Sequence, residues 1–448
     1  MARISICCFC WPCGKLWKCL GFKPIPRSKI TRSIYAIYLL TLTIISIILL
    51  TPKAMAAILT QRVCARLGHK TCEILHGPAP VYRIFMAISG VHLLMSILLI
   101  GVTHANQRRS YLQNHFWILK IGVILACTIA FIFYPKTSYT GEIWHFFGLN
   151  SAFAYIILQF ILLVDIVHAF NTRIVRLIEA SDSVSRSVHL YLILWVPTTL
   201  LYIMSIIATI MLLKTYGLRQ ECSNNTFFIS FHVYMCLSAT FISINPIVQK
   251  ARPKSGLLQS SVVTSYSTYI LWITLSNEPD ERCNLNREYI YPMDPLKNVQ
   301  IIVGLVLTLT ILFIFCIRKV NFPQYGNTVP PQLESLLQES LEAADYSNDN
   351  SGSVVEDEAY GVECSYSFFH AVMCLAALYI MMTLTCWYRP EEGEHHSVKL
   401  IAGWGAIWIK LCSGIFSVFT YIWTLIAPVI FPRSYKDLVF YDLLFAIT

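Results

Sequence analysis

Residues 144 to 171 read WHFFGLNSAFAYIILQFILLVDIVHAFN. The stretch is apolar and aromatic, and it carries Asp165 and His168 near its end. About 20 apolar residues cross a bilayer core, which is about 30 Å thick. As a helix, these 28 residues would be about 42 Å long. A rod that overshoots the core must tilt steeply or project into the interface. A carboxylate inside it costs roughly 2.5 to 3.5 kcal/mol on insertion scales, so Asp165 is expected to face protein or water. The stretch therefore reads as a long oblique helix whose polar side lines something within the membrane.

The rest of the chain agrees with that reading. Of its 448 residues, 56% are hydrophobic and only 13% charged, where soluble domains carry about 25% charged residues. Ten apolar runs are long enough to cross: about 33–50, 84–103, 113–134, 144–171, 188–213, 226–247, 257–275, 298–317, 367–387 and 401–431. They mix Leu, β-branched and aromatic residues without a ten-residue alternation, so they read as helices and not barrel strands. The expected fold is an all-α polytopic membrane protein. Residues 1–32 contain no apolar core before the basic stretch, so the first span is expected to act as a signal-anchor.

Lys and Arg set the orientation. Arg3, Lys15, Lys18, Lys23, Arg27, Lys29 and Arg32 place residues 1–32 in the cytosol. Arg108/Arg109, Arg173/Arg176/Arg186, Lys250/Arg252/Lys254, Arg318/Lys319 and Arg433/Lys436 then fall on the same side, and so does the tail 432–448. The first outer loop dissents with Lys53, Arg62, Arg66, Lys70 and Arg83, but five clusters outweigh it. The net charge of +9 sits in short loops between spans and does not indicate nucleic-acid binding. The expected setting is a secretory-pathway membrane: plasma membrane, Golgi or endoplasmic reticulum.

Four cysteines fall in outer loops, Cys64, Cys72, Cys222 and Cys283. An even count in an oxidising compartment permits two disulfides, with three connectivities open. Asn224-Asn225-Thr226 is the one glycosylation sequon, and it abuts the sixth span. Cys7, Cys8, Cys10, Cys13 and Cys19 crowd the basic start. Palmitoylation and plain reduced thiols are both open there. Zinc is disfavoured, because Cys10 and Cys13 have no matching pair or histidine. The segment 321–366 is acidic, rich in Ser and Asn, and opens with Pro330-Pro331 after a short lead. It reads as a disordered regulatory linker that could contact trafficking adaptors. Leu333, Leu336, Leu337 and Leu341 leave a short amphipathic helix open as well.

Three formal charges lie within spans: Lys120, Asp165 and Lys410. Lys120 and Asp165 sit roughly 9 to 10 Å below the cytosolic boundary by helical rise. Equal depth suggests an ion pair across spans three and four; the alternative is Lys120 snorkelling to the headgroups. Ser151, Asp165 and His168 fall within roughly a 100° arc of span four. With Asn150 they make either a headgroup path or a polar contact between helices. Lys410 lies deeper, and either attracts a phosphate or pairs with a carbonyl or carboxylate. The sequence holds no GxxxxGK(S/T), HExxH or GxSxG, so nothing points to ATP hydrolysis or a hydrolase. No cofactor or metal is expected. His395-His396 lacks the spacing of a metal site.

Several strings together resemble one family. They are FFGLNSAFAYIILQFILLVD (146–165), FISINPIVQ (241–249), GLLQSSVVTSYSTYILWITLSNEPDERCN (256–284), YSFFHAVMCLAALYIMMTLTCWY (366–388) and IWTLIAP (422–428). These are similar to the serine incorporator (SERINC, also TDE/TMS) family, as is the Cys-rich start. Cys386 stands where that family usually has Asn. Arg433-Ser434-Tyr435 replaces its usual acidic end. The resemblance implies two helical subdomains split by a long diagonal helix. It also implies lipid handling, linked to phosphatidylserine and sphingolipid metabolism. The expectation is a passive, ATP-independent phospholipid transporter, a scramblase, with Lys120, Asn150, Ser151, Asp165, His168 and Lys410 along a groove. The rival is a scaffold that delivers serine to lipid-synthesis enzymes through 321–366. A homo-oligomer is also open.

Overall fold

The computed structural model describes residues 27–51, 78–105, 107–133, 138–218, 222–252, 255–278, 280, 282–284, 298–318, 362, 364–387, 389–392, 398–401 and 404–431. Its helices are α1 (Arg27–Leu50), α2 (Pro78–Leu98), α3 (Ser110–Asn114), α4 (Trp117–Phe133), α5 (Ser138–Glu179), α6 (Val184–Leu212), α7 (Ser223–Ile244), α8 (Pro246–Ala251), α9 (Leu257–Leu275), α10 (Val299–Ile317), α11 (Tyr366–Leu384) and α12 (Trp404–Ile430). A π-helical turn, Leu213–Gly217, ends α6. Every expected span has its helix. Eight are long and apolar enough to cross a membrane, and α4 is a shorter apolar helix.

Boundaries moved where local chemistry intervenes. The third span breaks into α3 and α4 at Phe116, whose φ is 60°. The sixth stops at Ile244 because Pro246 follows; Asn245 then caps α8 by accepting from the Ile247 N–H. The last begins at Trp404, because Val398–Ile401 pairs antiparallel with Arg389–Glu392 in a short ribbon, Arg389 opposite Ile401. This ribbon is the one departure from an all-helical chain among the described residues.

The long helix exceeds the expected 144–171. Its 42 residues reach about 63 Å, so Glu142 at one end and Arg173 and Arg176 at the other lie beyond the apolar stretch. It divides two bundles. On one side α1, α2, α4, α10 and α11 pack together; on the other, α6, α7 and α12 gather round α9. The long helix leans on α11 and α10 in the first bundle and on α12, α9 and α6 in the second. The chain thus weaves: α10 and α11 return to the bundle of α1 and α2, and α12 crosses back.

The hub of the first bundle is α11, YSFFHAVMCLAALYIMMTL, buried along nearly its whole length. It carries small and polar residues on several sides, Ser367, His370, Ala371, Ala376, Ala377 and Thr383 among them, which suit contact with other helices better than with lipid. Phe369, Met373, Ala376, Ala377 and Met381 are inaccessible. Where α11 meets α5, Tyr155 and Tyr379 stack at 5.0 Å. Gly148 leaves room there for the Met382 sulfur, which a Cβ would meet at 2.7 Å.

Candidate functional site

A hydroxyl-rich helix lies inside the second bundle. α9 carries Ser260, Ser261, Thr264, Ser265, Ser267, Thr268 and Thr274, and it is not among the eight helices apolar enough to cross. Fourteen of its residues are buried. Many hydroxyls return to their own helix: Ser261 donates to Leu258 O at 2.8 Å, Thr268 to Thr264 O at 2.7 Å and Thr274 to Ile270 O at 2.7 Å. Others reach across. Tyr202 of α6 bonds Ser260 at 2.7 Å and Thr240 of α7 at 3.1 Å. Ser205 bonds Ser265 at 2.8 Å, Ser243 donates to Ser260 at 3.2 Å, and His232 bonds Thr268 at 3.1 Å. α6 and α7 both rest on α9, and they meet at the π-helical turn that ends α6, where Thr226 donates to Gly217 O at 2.6 Å and Asn225 to Tyr216 O at 3.3 Å. Away from that turn the two helices are bridged over α9 by the Tyr202 hydroxyl, so the line between them is closed in this conformation. The outer faces of both helices are apolar, with Leu200, Ile203, Met204, Phe227 and Phe241 exposed.

A second polar cluster joins the bundles beyond the end of α9. Lys410 of α12 is fully buried; its Nζ donates to Ile273 O at 2.9 Å and to Asn277 Oδ1 at 2.5 Å. The ring of Trp387 lies 4.4 Å away. The other end of the Asn277 amide donates to Cys386 O at 2.6 Å, in the first bundle. Cys386 and Trp387 have φ of 51° and 64°, a left-handed pair of non-glycine residues held from several sides. Ser276 donates to Gln300 Oε1 at 2.7 Å, and His145 of the long helix contacts Trp387 O at 3.4 Å. Close by, Cys222 and Cys283 are disulfide-bonded, which ties the entry of α7 to the segment after α9.

The expected groove residues are not brought together. The anticipated Lys120–Asp165 pair does not form. Lys120 Nζ donates to Gln113 O at 2.8 Å and lies 4.3 Å from the Trp117 ring and 5.3 Å from that of Tyr35, within the first bundle. Asp165 instead accepts from Arg318 Nη1 at 2.8 Å. α4 meets α5 through Phe131 and Trp144, at the end of α4 away from Lys120. Lys410 pairs with carbonyl oxygens, the second of its two anticipated readings. Asn150 is exposed and donates to Phe146 O of its own helix at 2.8 Å; Ser151 and His168 are half-buried on α5. Asn224 is exposed at the start of α7. Cys64, Cys72, the five N-terminal cysteines, His395-His396 and nearly all of 321–366 lie outside the described residues.

Two features escaped sequence reasoning. Arg318 was counted only as a cytosolic charge. The hydroxyl pattern of α9, with Ser260, Thr264, Ser267 and Thr268 at helical spacing, was the available signal for a protein-facing helix.

These features define a multi-pass α-helical membrane protein with polar contacts inside and between two helix bundles. A family model described as Serine incorporator (Serinc) matches residues 5–434. A probable serine incorporator of Nematostella vectensis is 34% identical over 92% of this chain and 93% of its own. Serine incorporator 2 of Bos taurus is 33% identical over 82% and 81%, and serine incorporator 5 of Danio rerio 25% over 97% and 96%. The chain belongs to the serine incorporator family.

Proposed function

We propose that this chain moves phospholipid between the two leaflets passively, without ATP, and that headgroups travel along the line between α6 and α7 while the acyl tails remain in lipid. One observation carries the reading: beneath α6 and α7 lies a helix with hydroxyls along its length, and those of Ser260 and Ser265 bond across to Tyr202 and Ser205 of α6. Moving a headgroup through hydrocarbon strips its hydration, at several kcal/mol for each unsatisfied polar group. Ser260, Ser265, Thr240 and Tyr202 offer donors and acceptors in its place. In this conformation Tyr202 closes that line through its bonds to Thr240 and Ser260, so passage requires that side chain to swing aside. The relatives are named for serine incorporation, which makes serine-headed phospholipid the first lipid to test.

The test is leaflet exchange of a reporter lipid in vesicles containing the purified chain and no ATP. Protein should accelerate exchange, and Ser260→Leu with Ser265→Leu should slow it several-fold. Equal rates with and without protein would remove the reading. The scaffold rival has its own support: Val362, at the end of the acidic segment, donates its N–H to Thr103 O at 3.0 Å and packs with Leu99, Val102 and Tyr366. That anchors the segment to the connection after α2. Deleting residues 321–360 should leave exchange intact if the path between α6 and α7 does the work, and should abolish function in cells if the segment recruits enzymes.

A further inference from the structure

We propose that the segment after α9 and the first turn of α7 together form a calcium site beside the Cys222–Cys283 bridge, with Glu278, Asp280, Asn225 and Asn284 as its oxygen ligands. The bridge brings the two segments together: Cys222 precedes α7, Cys283 follows α9, and their Cα atoms are 5.7 Å apart. Asn225 comes three residues after one cysteine and Asn284 directly after the other. The N–H groups of Cys283 and Asn284 both donate to Asp280 O, at 3.1 and 3.0 Å, so a tight turn folds Asn284 back toward Asp280.

The hydrogen bonds fix which way each amide points. Asn225 Nδ2 donates to Tyr216 O at 3.3 Å. Asn284 Nδ2 donates to Ser276 O at 2.9 Å and to Glu278 O at 3.1 Å. Carbonyl oxygens only accept, so the nitrogen of each amide must face them. Both Oδ1 atoms are buried and accept no hydrogen bond among the described residues; Asn225 is 1% exposed and Asn284 2%. Glu278 sits between these amides. Asn225 hydrogen-bonds its carboxyl, and Asn284 holds its backbone oxygen. Glu278 is buried as well, and no ion pair among the described residues includes it. Asp280 brings a second negative charge close enough to act on Glu278. Its partner Arg282 is 70% exposed, so solvent screens that pair and a dication can compete for the carboxylate.

A water molecule would serve the amide oxygens and leave the Glu278 charge uncompensated; a dication does both. Carboxylates and amide oxygens suit calcium, which takes about six to eight oxygens in flexible geometry, better than magnesium with its strict octahedron. Among the described residues no three of His, Cys, Asp and Glu gather to hold a metal, so the two amides are needed to complete this set. The disulfide marks an oxidising compartment, where calcium modules bind at about 10⁻⁴–10⁻³ M.

The experiment uses the purified full-length chain in detergent, stripped with EGTA and kept oxidised. Calcium chloride or magnesium chloride is added at pH 7 and constant ionic strength while the thermal unfolding midpoint is followed. A saturable rise with calcium is expected, half-complete at about 10⁻⁴–10⁻³ M, with magnesium needing at least tenfold more. Asp280→Asn should raise the half-saturating calcium concentration tenfold or more. Glu278→Gln should abolish the rise, although in EGTA it is the stabler protein, because the parent's buried carboxylate then has no cation. If that variant does not fold, Asp280→Asn decides. Midpoints that are equal in EGTA and calcium would overturn the proposal. So would equal responses to the two metals, or a calcium response unchanged in either variant.

Discussion

Arg318 reaches Asp165 across 2.8 Å, binding the first residue after α10 to the long helix two-thirds of the way along it. The pair anchors α5 to the first bundle. Each side chain is about a third exposed, 30% for Arg318 and 32% for Asp165, so solvent screens the attraction and the pair is worth only about 0.2–1 kcal/mol. Asp165→Asn and Arg318→Gln should each lower the unfolding midpoint slightly. The Asp165→Arg, Arg318→Asp double variant should recover most of what the two reversed singles lose. Strict additivity in that cycle would mean the two side chains do not interact.

The Cys222–Cys283 bridge closes 61 residues of chain. On the chain-entropy model a loop of that size contributes about 4 kcal/mol. Cys222→Ser, Cys283→Ser and the double variant should therefore lower stability by similar amounts, and reductant should affect only the parent. A double variant much worse than either single would show that the cysteines act separately.

Gly304 of α10 faces the Tyr269 hydroxyl so closely that a Cβ would lie 2.5 Å from it and 3.2 Å from Thr383 Cγ2. The ring is rigid, so the clash cannot be relieved by a flexible chain end. Gly304→Ala should cost about 1–3 kcal/mol through overpacking. Adding Tyr269→Phe removes the colliding oxygen and should return part of that loss, read as a rise in unfolding midpoint over the single variant. No recovery would place the glycine's requirement elsewhere.

Glu278 lies just past α9 and is buried, and burial pushes its carboxyl above the usual value of 4.5. A hydrogen bond with Asn225 works against that shift, and the Asp280 charge adds to it. A carboxyl with a raised folded pKa binds its proton more tightly in the folded state. Its contribution is therefore full below about 4.5 and is lost as pH rises through the folded value. Glu278→Gln should raise stability at pH 7 and have little effect near pH 4. A variant less stable than the parent at pH 7 would contradict this sign.

Much of the fold was legible because it rests on local quantities. The ten apolar runs that became helices and the over-long helix at 144–171 follow from apolar run length, which a chain carries without reference to its neighbours. The cysteine count likewise permitted a Cys222–Cys283 bridge without selecting it. The partners were not legible. Helical rise gave Lys120 and Asp165 the same expected depth, but depth is one coordinate. Whether two side chains meet depends on how α4 and α5 diverge, and that is set by packing among helices far apart in sequence. The same holds for Lys410, whose neutral cage is assembled from α9, α11 and α12, and for α9, whose hydroxyls mark a protein-facing helix without naming the neighbours. Sequence alone determined that the chain crosses the membrane many times and that one helix is too long to stand upright. Tertiary structure decided which polar groups face one another, because contact in a helical bundle is a property of pairs of surfaces.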